Sequence, residues 1–404
     1  MKNKTDICII GAGPAGSTAA KFLAQKGFNV KLIDRQKFPR DKPCGGGLPY
    51  QVLKRYPYIN NENFVDSYSF GGYAYSSSLN YKIVVRDKEP IIAMTLRRNF
   101  DKNLVDLAMG EGVDFVDGCN VKNVKITNEK AQVFLDDRSI VTCDILIGAD
   151  GVFSKIAEKT GLRKRGEETG ICILNEYEVD EKIIDEFFGK ERFVKILSRF
   201  QGIYGYGWVF PKSKHLNIGI GEVGYRPKNR GKINLKNLYE NFFSTLKKLK
   251  IIPEELKIKQ CRGGALPIIP LNQTYCDRTL LVGDAAGFIN PFSGEGIYYA
   301  MASGENASIV IEKAFSREKF SSKFLSSYQK LWMKDFGRDI FAFYNLAKNR
   351  RGKSNENIFK VAAKDDVLSD LFLKIMIGRL PLRQNKWKVI RRYAIGYLKE
   401  VFRN

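Results

Sequence analysis

The segment from Asp6 to Asp34 constrains the fold most. The apolar run Asp6-Ile7-Cys8-Ile9-Ile10 leads directly into Gly11-Ala12-Gly13-Pro14-Ala15-Gly16. A helical pattern follows, with Ala15, Ala19, Phe22 and Leu23 on one face and Gly27 closing it. A second run, Asn29-Val30-Lys31-Leu32-Ile33, ends at Asp34. Short unbroken apolar runs of this kind predict parallel strands buried on both faces. The unit therefore reads as strand, glycine loop, helix, strand and terminal acid. In G-x-G-x-x-G each glycine has a physical task. Gly11 permits the tight turn, Gly13 lets a pyrophosphate approach the backbone, and Gly16 lets helix and strand pack closely. The helix N-terminus then offers free N–H groups to phosphate oxygens. Asp34 ends the second strand, at the spacing beyond Gly16 where an acid can hold ribose hydroxyls. The pattern predicts a dinucleotide site.

Composition narrows the class. A chain of 404 residues with 44% hydrophobic and 12% aromatic residues has ample material for two or three packed domains and is not disordered. No apolar run approaches the roughly 18 residues needed to cross a bilayer. The start, Met1-Lys2-Asn3-Lys4-Thr5-Asp6, lacks the apolar stretch of a secretion signal, so a cytoplasmic protein is expected. Seven scattered cysteines without a CxxC pair read as reduced thiols, with Cys8 in the core. The lone histidine, His215, reads as surface or packing and speaks against His-rich metal sites and a Ser-His-Asp mechanism; no metal site is expected. The net charge of +23 calls for an anionic partner: nucleic acid, anionic lipid or an acidic ligand.

Later segments supply further signals. A helix is predicted over Leu96–Met109 and several strands over 113–149, ending in Ile145-Leu146-Ile147. Residues 161–260 alternate strand patterns with charged helices, and the chain beyond about 330 is mostly helical in pattern. Two strands end in acid-containing turns, Gly148-Ala149-Asp150-Gly151 and Gly283-Asp284-Ala285-Ala286. Together with Arg97-Arg98-Asn99-Phe100-Asp101, these resemble the FAD-dependent superfamily that shares the p-hydroxybenzoate hydroxylase fold. The resemblance implies FAD as cofactor, with Asp284 on the ribityl chain and Arg97 near the phosphates. It also implies that N–H groups of the turn Pro291-Phe292-Ser293-Gly294-Glu295-Gly296-Ile297 face the flavin. No second G-x-G-x-x-G marks a nicotinamide domain, so an external electron donor fits better than a second bound dinucleotide.

Three segments resemble the geranylgeranyl reductase family within that superfamily. They are Arg40-Asp41-Lys42-Pro43-Cys44-Gly45-Gly46-Gly47-Leu48, the Y-x-W-x-F-P motif Tyr206-Gly207-Trp208-Val209-Phe210-Pro211, and Gly263-Gly264-Ala265-Leu266-Pro267. Asn217-Ile218-Gly219-Ile220-Gly221 resembles the strand that follows the aromatic motif. One departure is Ile203, where the family often has proline. The resemblance implies an α/β fold: a Rossmann-like FAD-binding domain (1–65, 95–160 and 275–330), a β-sheet substrate domain (66–94 and 161–274) and a helical basic C-terminal region (331–404). It implies cofactor contacts at Gly11, Gly13, Ala15, Gly16, Asp34, Cys44, Gly45, Gly47, Arg97, Val121, Asp284, Gly294, Gly296 and Ile297. Substrate contacts are implied at Tyr206, Trp208, Phe210, Gly264 and Pro291, with Cys44, Tyr206 and Trp208 as catalytic candidates. The implied reaction is hydride transfer from reduced FAD to an unactivated prenyl double bond, plus protonation. Tyr206, Trp208 and Phe210 alternate along one strand and so share a face, where aromatic rings tolerate developing cation better than aliphatic groups do.

Partners follow from the same reading. The substrate is expected to be a prenyl lipid or prenyl diphosphate, and the donor ferredoxin, NADPH or a reduced deazaflavin. From Leu371 to the C-terminus nine Lys or Arg side chains face one acid, Glu400, which places +8 of the +23 in this tail. Trp387, Ile390, Ala394, Tyr397, Leu398 and Val401 recur there at helical spacing. This predicts a basic amphipathic helix suited to an anionic membrane surface, hence a peripheral location on the cytoplasmic face; a helix packed on the FAD domain with a solvated basic face is the competing reading. No nucleic-acid motif is present. The alternative function is an aromatic monooxygenase or halogenase on the same fold. A quinone reductase with an in-chain iron–sulfur cluster lacks the cysteine spacing.

Overall fold

The computed structural model describes residues 4–163, 169–222, 233–349 and 354–402. Its central sheet follows from the N-terminal pattern. Strand Lys4–Ile10 pairs in parallel with Val30–Ile33 on one side and Ile140–Gly148 on the other. Asp114–Val116 and Thr279–Leu281 extend the sheet, also in parallel. Helices cover the faces, so Ile7, Ile9, Leu32, Ile145 and Ile147 are wholly buried. Lys31 sits mid-strand in this apolar layer and is neutralised by Asp114 on the adjacent strand.

Helix Pro14–Ala24 starts immediately after the loop, with Pro14 at its first turn and Gly13 as a cap without a side chain. No side chain therefore occupies its N-terminal donors. Ala15, Ala19 and Leu23 are buried as the periodicity predicts, while Phe22 packs sideways against a separate cluster. The helix predicted from Leu96 runs Arg97–Gly110 with Leu96 as its cap.

A second sheet of seven strands has the order Arg262–Pro267, Thr169–Glu178, His215–Glu222, Gly205–Pro211, Val194–Ser198, Gly71–Tyr75, Lys82–Arg86. Neighbouring strands are antiparallel except Val194–Ser198 beside Gly71–Tyr75. One face packs on helix Leu235–Lys248 through Phe242, Phe243 and Leu246. A third, three-stranded sheet joins Gly47–Pro49 and Ser67–Ser69 to Ile92–Met94 and anchors the end of the Cys44 loop.

After Trp332 every described regular element is helical, ending in Asp366–Met376 and Leu382–Val401. Among the described residues no helix is long and apolar enough to cross a membrane. Arg403, counted in the basic tail, lies outside the described residues.

Candidate functional site

A cavity of 520 Å³ joins the sheets. At one end its wall is Gly13, Pro14, Ala15, Arg97 and Asp284, with the turn Pro291–Ile297. Residues 42–47 and the rings of Tyr206, Trp208 and Phe210 form its middle. An apolar arm then continues past Tyr73, Ile83, Val194 and Ile196 to Phe359, Phe372 and Met376 in the C-terminal helices.

The glycine loop is sterically obligatory. Gly11 has φ +104°, and a Cβ there would lie 2.3 Å from the Ala149 carbonyl oxygen; one on Gly16 would lie 1.8 Å from the Gly11 oxygen. Gly11, Gly16, Asp34 and Val121 stand outside the cavity wall. The Asp34 carboxylate accepts the Ala12 N–H at 2.8 Å and the Gln36 N–H at 2.9 Å, tying the loop to the end of the second strand. Val121 is buried, and its carbonyl accepts from Lys155 Nζ at 2.9 Å.

Behind the loop runs a buried chain of charges. Arg97 donates twice to Asp101, both at 2.8 Å, an i to i+4 pair on one helix. Arg40 reaches Asp101 at 3.0 Å and lies 3.9 Å from Asp34. Burial opposes ionisation of Asp101, but the two guanidiniums outweigh it and hold the carboxyl below its ordinary value. The Arg97 guanidinium also faces Cys44. Arg40 Nε is buried and makes no hydrogen bond within the described residues, and the guanidinium lies 3.5 Å from where a Gly13 side chain would begin. An uncapped helix N-terminus, a bare glycine loop and a buried cation with a spare donor together suit the pyrophosphate of a dinucleotide.

Across the cavity, Lys42 Nζ is 3.4 Å from Asp284. In the turn before helix Ile297–Phe315, the Glu295 carboxylate takes the Tyr298 N–H at 2.7 Å, so this donor is already engaged by the chain itself. The other Glu295 oxygen is buried without a protein partner. Burial raises this carboxyl to about 7, so it is about half protonated at neutrality.

The aromatic strand behaves as its alternation predicts. Tyr206 and Trp208 meet edge to face at 5.7 Å, and Trp208 and Phe210 lie 6.3 Å apart. Tyr206 donates its hydroxyl to the Ser293 carbonyl, linking the aromatic strand to the turn. A Cβ on Gly219 of the next strand would lie 2.1 Å from the Trp208 ring, so the small residue lets the indole lie flat. Trp208 Nε1 donates to Asn217 Oδ1 at 2.7 Å, and Asn217 Nδ2 donates to the Cys44 carbonyl at 3.1 Å and to Glu176 at 2.7 Å. Lys212, wholly buried, closes this network on Glu176. The Cys44 Sγ accepts the Gly46 N–H at 3.4 Å. Gly264 stands behind the wall, its carbonyl accepting from Cys172 Sγ at 3.6 Å. Ile203 has φ −61°, the value a proline would impose, so the departure leaves the turn unchanged.

The FAD binding domain family matches residues 4–331. The digeranylgeranylglycerophospholipid reductase 1 of Methanosphaera stadtmanae is 30% identical over 339 residues, 80% of this chain and 79% of its own. This chain belongs to the geranylgeranyl reductase family of FAD-binding proteins. It is an FAD-dependent oxidoreductase. Two solved structures share the fold. A geranylgeranyl bacteriochlorophyll reductase-like protein from Thermoplasma acidophilum aligns with TM-score 0.79 at 22% identity, covering 95% of this chain and 99% of that one. A flavin-dependent brominase aligns with TM-score 0.73 at 18% identity, covering 99% of this chain and 100% of its own.

Three features of this family member escape the motif reading. Arg40 and Glu295 stand inside the Cys44 segment and the turn before Ile297, but no local pattern marks their side chains for these contacts. Asn217 stood in a quoted strand, yet its contact with Trp208 crosses two strands. The one available signal was a polar residue inside an otherwise apolar and glycine strand.

Proposed function

We propose that the chain hydrogenates C=C bonds of geranylgeranyl or related prenyl chains carried by isoprenoid lipids or prenyl diphosphates. The observation that carries this reading is the apolar arm of the cavity. It leads from the cofactor end past three aromatic rings and on beneath the C-terminal helices, a shape suited to a long run of isoprene units. The names of the curated relatives support the same substrate class. An aromatic hydroxylation or halogenation site would need the ring-lined middle of the cavity but not the arm.

FAD, when bound and reduced, supplies the hydride. The residues suited to hold it are Gly13, Ala15, Arg40, Arg97 and Asp284, with Gly294, Gly296 and Ile297 of the turn. Tyr206, Trp208 and Phe210 would keep the reacting double bond dry and offer ring faces to the more substituted carbon as it turns cationic. Cys44 faces Arg97 at the same wall and is one candidate proton donor, with Glu295 as a second proton-bearing group lining the cavity. An external donor such as ferredoxin, NADPH or a reduced deazaflavin would restore the electrons.

The deciding experiment mixes anaerobically reduced holoenzyme with geranylgeranyl lipid. Reoxidation of the flavin with a gain of two hydrogens per double bond is expected. Reoxidation by oxygen alone, with a hydroxylated or halogenated aromatic product, would overturn the reading.

A further inference from the structure

Helix Leu382–Val401 has two apolar faces, and among the described residues only one of them is packed. Its inner face packs Val389 and Tyr393 against the cluster of Phe359, Leu368 and Phe372. Ion pairs pin that side: Arg392 to Asp365 at 2.8 Å, and Glu400 to Lys364 at 2.8 Å and Lys360 at 3.4 Å. At 100° per residue, Trp387, Ile390, Ala394, Leu398 and Val401 fall on the opposite side, and Phe402 extends it. There Trp387 is 69% exposed and Phe402 84%. The chain's other tryptophans, Trp208 and Trp332, are buried.

A helix already anchored by one face normally shows solvent a polar one, and a contiguous exposed apolar stripe marks a contact surface. Charge says which kind. Lys386, Lys388, Arg391 and Lys399 border the stripe and are exposed, with no acidic partner among the described residues. An apolar stripe with tryptophan, edged by cations that have no acidic partner among the described residues, is complementary to an anionic bilayer interface. Position adds a reason. The inner face of this helix packs on the segments that supply Phe359, Phe372 and Met376 to the cavity's apolar arm.

We propose that the outward face of helix 382–401 docks on an anionic phospholipid surface and sets the helical end of the cavity against the bilayer. The choice of a bilayer as occupant rests on the prenyl-lipid reading. Docking occupies the helix from one side while Val389, Tyr393 and the ion pairs hold it to the enzyme from the other. The two packed sides make the helix a rigid adaptor, so a lipid chain would pass between membrane and cavity without the enzyme spanning the bilayer.

The test uses the FAD-loaded full chain and two kinds of vesicle, pure phosphatidylcholine and phosphatidylcholine mixed with phosphatidylglycerol. Co-sedimentation with the anionic vesicles, weakening as salt rises, is expected, along with a blue shift of Trp387 emission. The variant W387S/L398S/F402S should bind at least ten-fold more weakly with its flavin spectrum and melting temperature retained. The variant K386E/K388E should lose the preference for anionic vesicles. Equal sedimentation of the wild type and the apolar variant would overturn the proposal. So would a wild-type dimer in sedimentation velocity that W387S/L398S/F402S dissociates, because the occupant is then a second copy. These readouts need no turnover. A protein that docks but fails to hydrogenate counts against the reductase reading alone. One that hydrogenates detergent-dispersed lipid but never docks counts against this proposal alone.

Discussion

The glycine-loop end of the cavity and its aromatic stretch are built by opposite means. At the glycine-loop end, backbone and charge do the work: Arg97, Asp101, Arg40 and Asp34 form a buried chain that leaves N–H donors free for an anion. Along the aromatic stretch, rings pack on glycines, and the polar contacts are the Tyr206 hydroxyl on Ser293 and the Asn217 network behind the indole. The first is intolerant, because deleting one charge strands another in low dielectric. The second should be graded, because a ring can shrink while its neighbours partly close the gap.

The largest effect should break the polar end. Asp101→Ala leaves Arg97 and Arg40 buried without their carboxylate, with an expected loss of about 3–5 kcal/mol. Thermal unfolding and flavin absorbance would record the loss together. If the variant melts like the wild type, the charge chain does not hold this end.

Glu295 sits where the two meet and should give the next largest effect. Its folded value of about 7 exceeds the ordinary 4.5, so folding favours its protonated form. That contribution is complete below the ordinary value and is lost as pH rises through about 7, on the order of 3–4 kcal/mol in all at about 1.4 kcal/mol per unit. Glu295→Gln cannot ionise, so its stability profile should be flat across that window in holoenzyme melts. A slope as steep as the wild type's would place the titration elsewhere.

Along the aromatic stretch, Trp208→Phe keeps a ring but removes the donor to Asn217, for about 1–2 kcal/mol. Turnover on geranylgeranyl lipid should fall more than ten-fold with FAD retained. If stability falls and turnover does not, the strand is ordinary core. Phe402→Ser touches neither and should change stability by no more than about 0.5 kcal/mol in the same melts.

Legibility divides along the same line. The glycine loop, Asp34, the helix from Arg97 and the alternating rings were readable because each depends on spacing within one short segment. The prediction that the tail forms a basic amphipathic helix was readable for that reason too. That the helix would pack by one apolar face and expose another was not, since Val389 and Tyr393 find Phe359 and Phe372 only after the chain doubles back. Asp34 shows the limit from the other side. Its position was expected, but its carboxylate is also engaged with the Ala12 N–H of the loop it follows.

The amino-acid order alone determined a parallel strand–loop–helix unit, a dinucleotide site and a shared face for Tyr206, Trp208 and Phe210. Local periodicity and glycine sterics decide those matters within a few residues. Only the tertiary structure decided that Arg40 would bring a spare Nε donor beside Gly13, that Asn217 would tie Trp208 to the Cys44 loop, and that the Glu295 carboxyl would be raised toward neutrality. Each depends on segments far apart in the chain meeting in a low-dielectric interior, where burial sets the charge of a group and no local pattern records it.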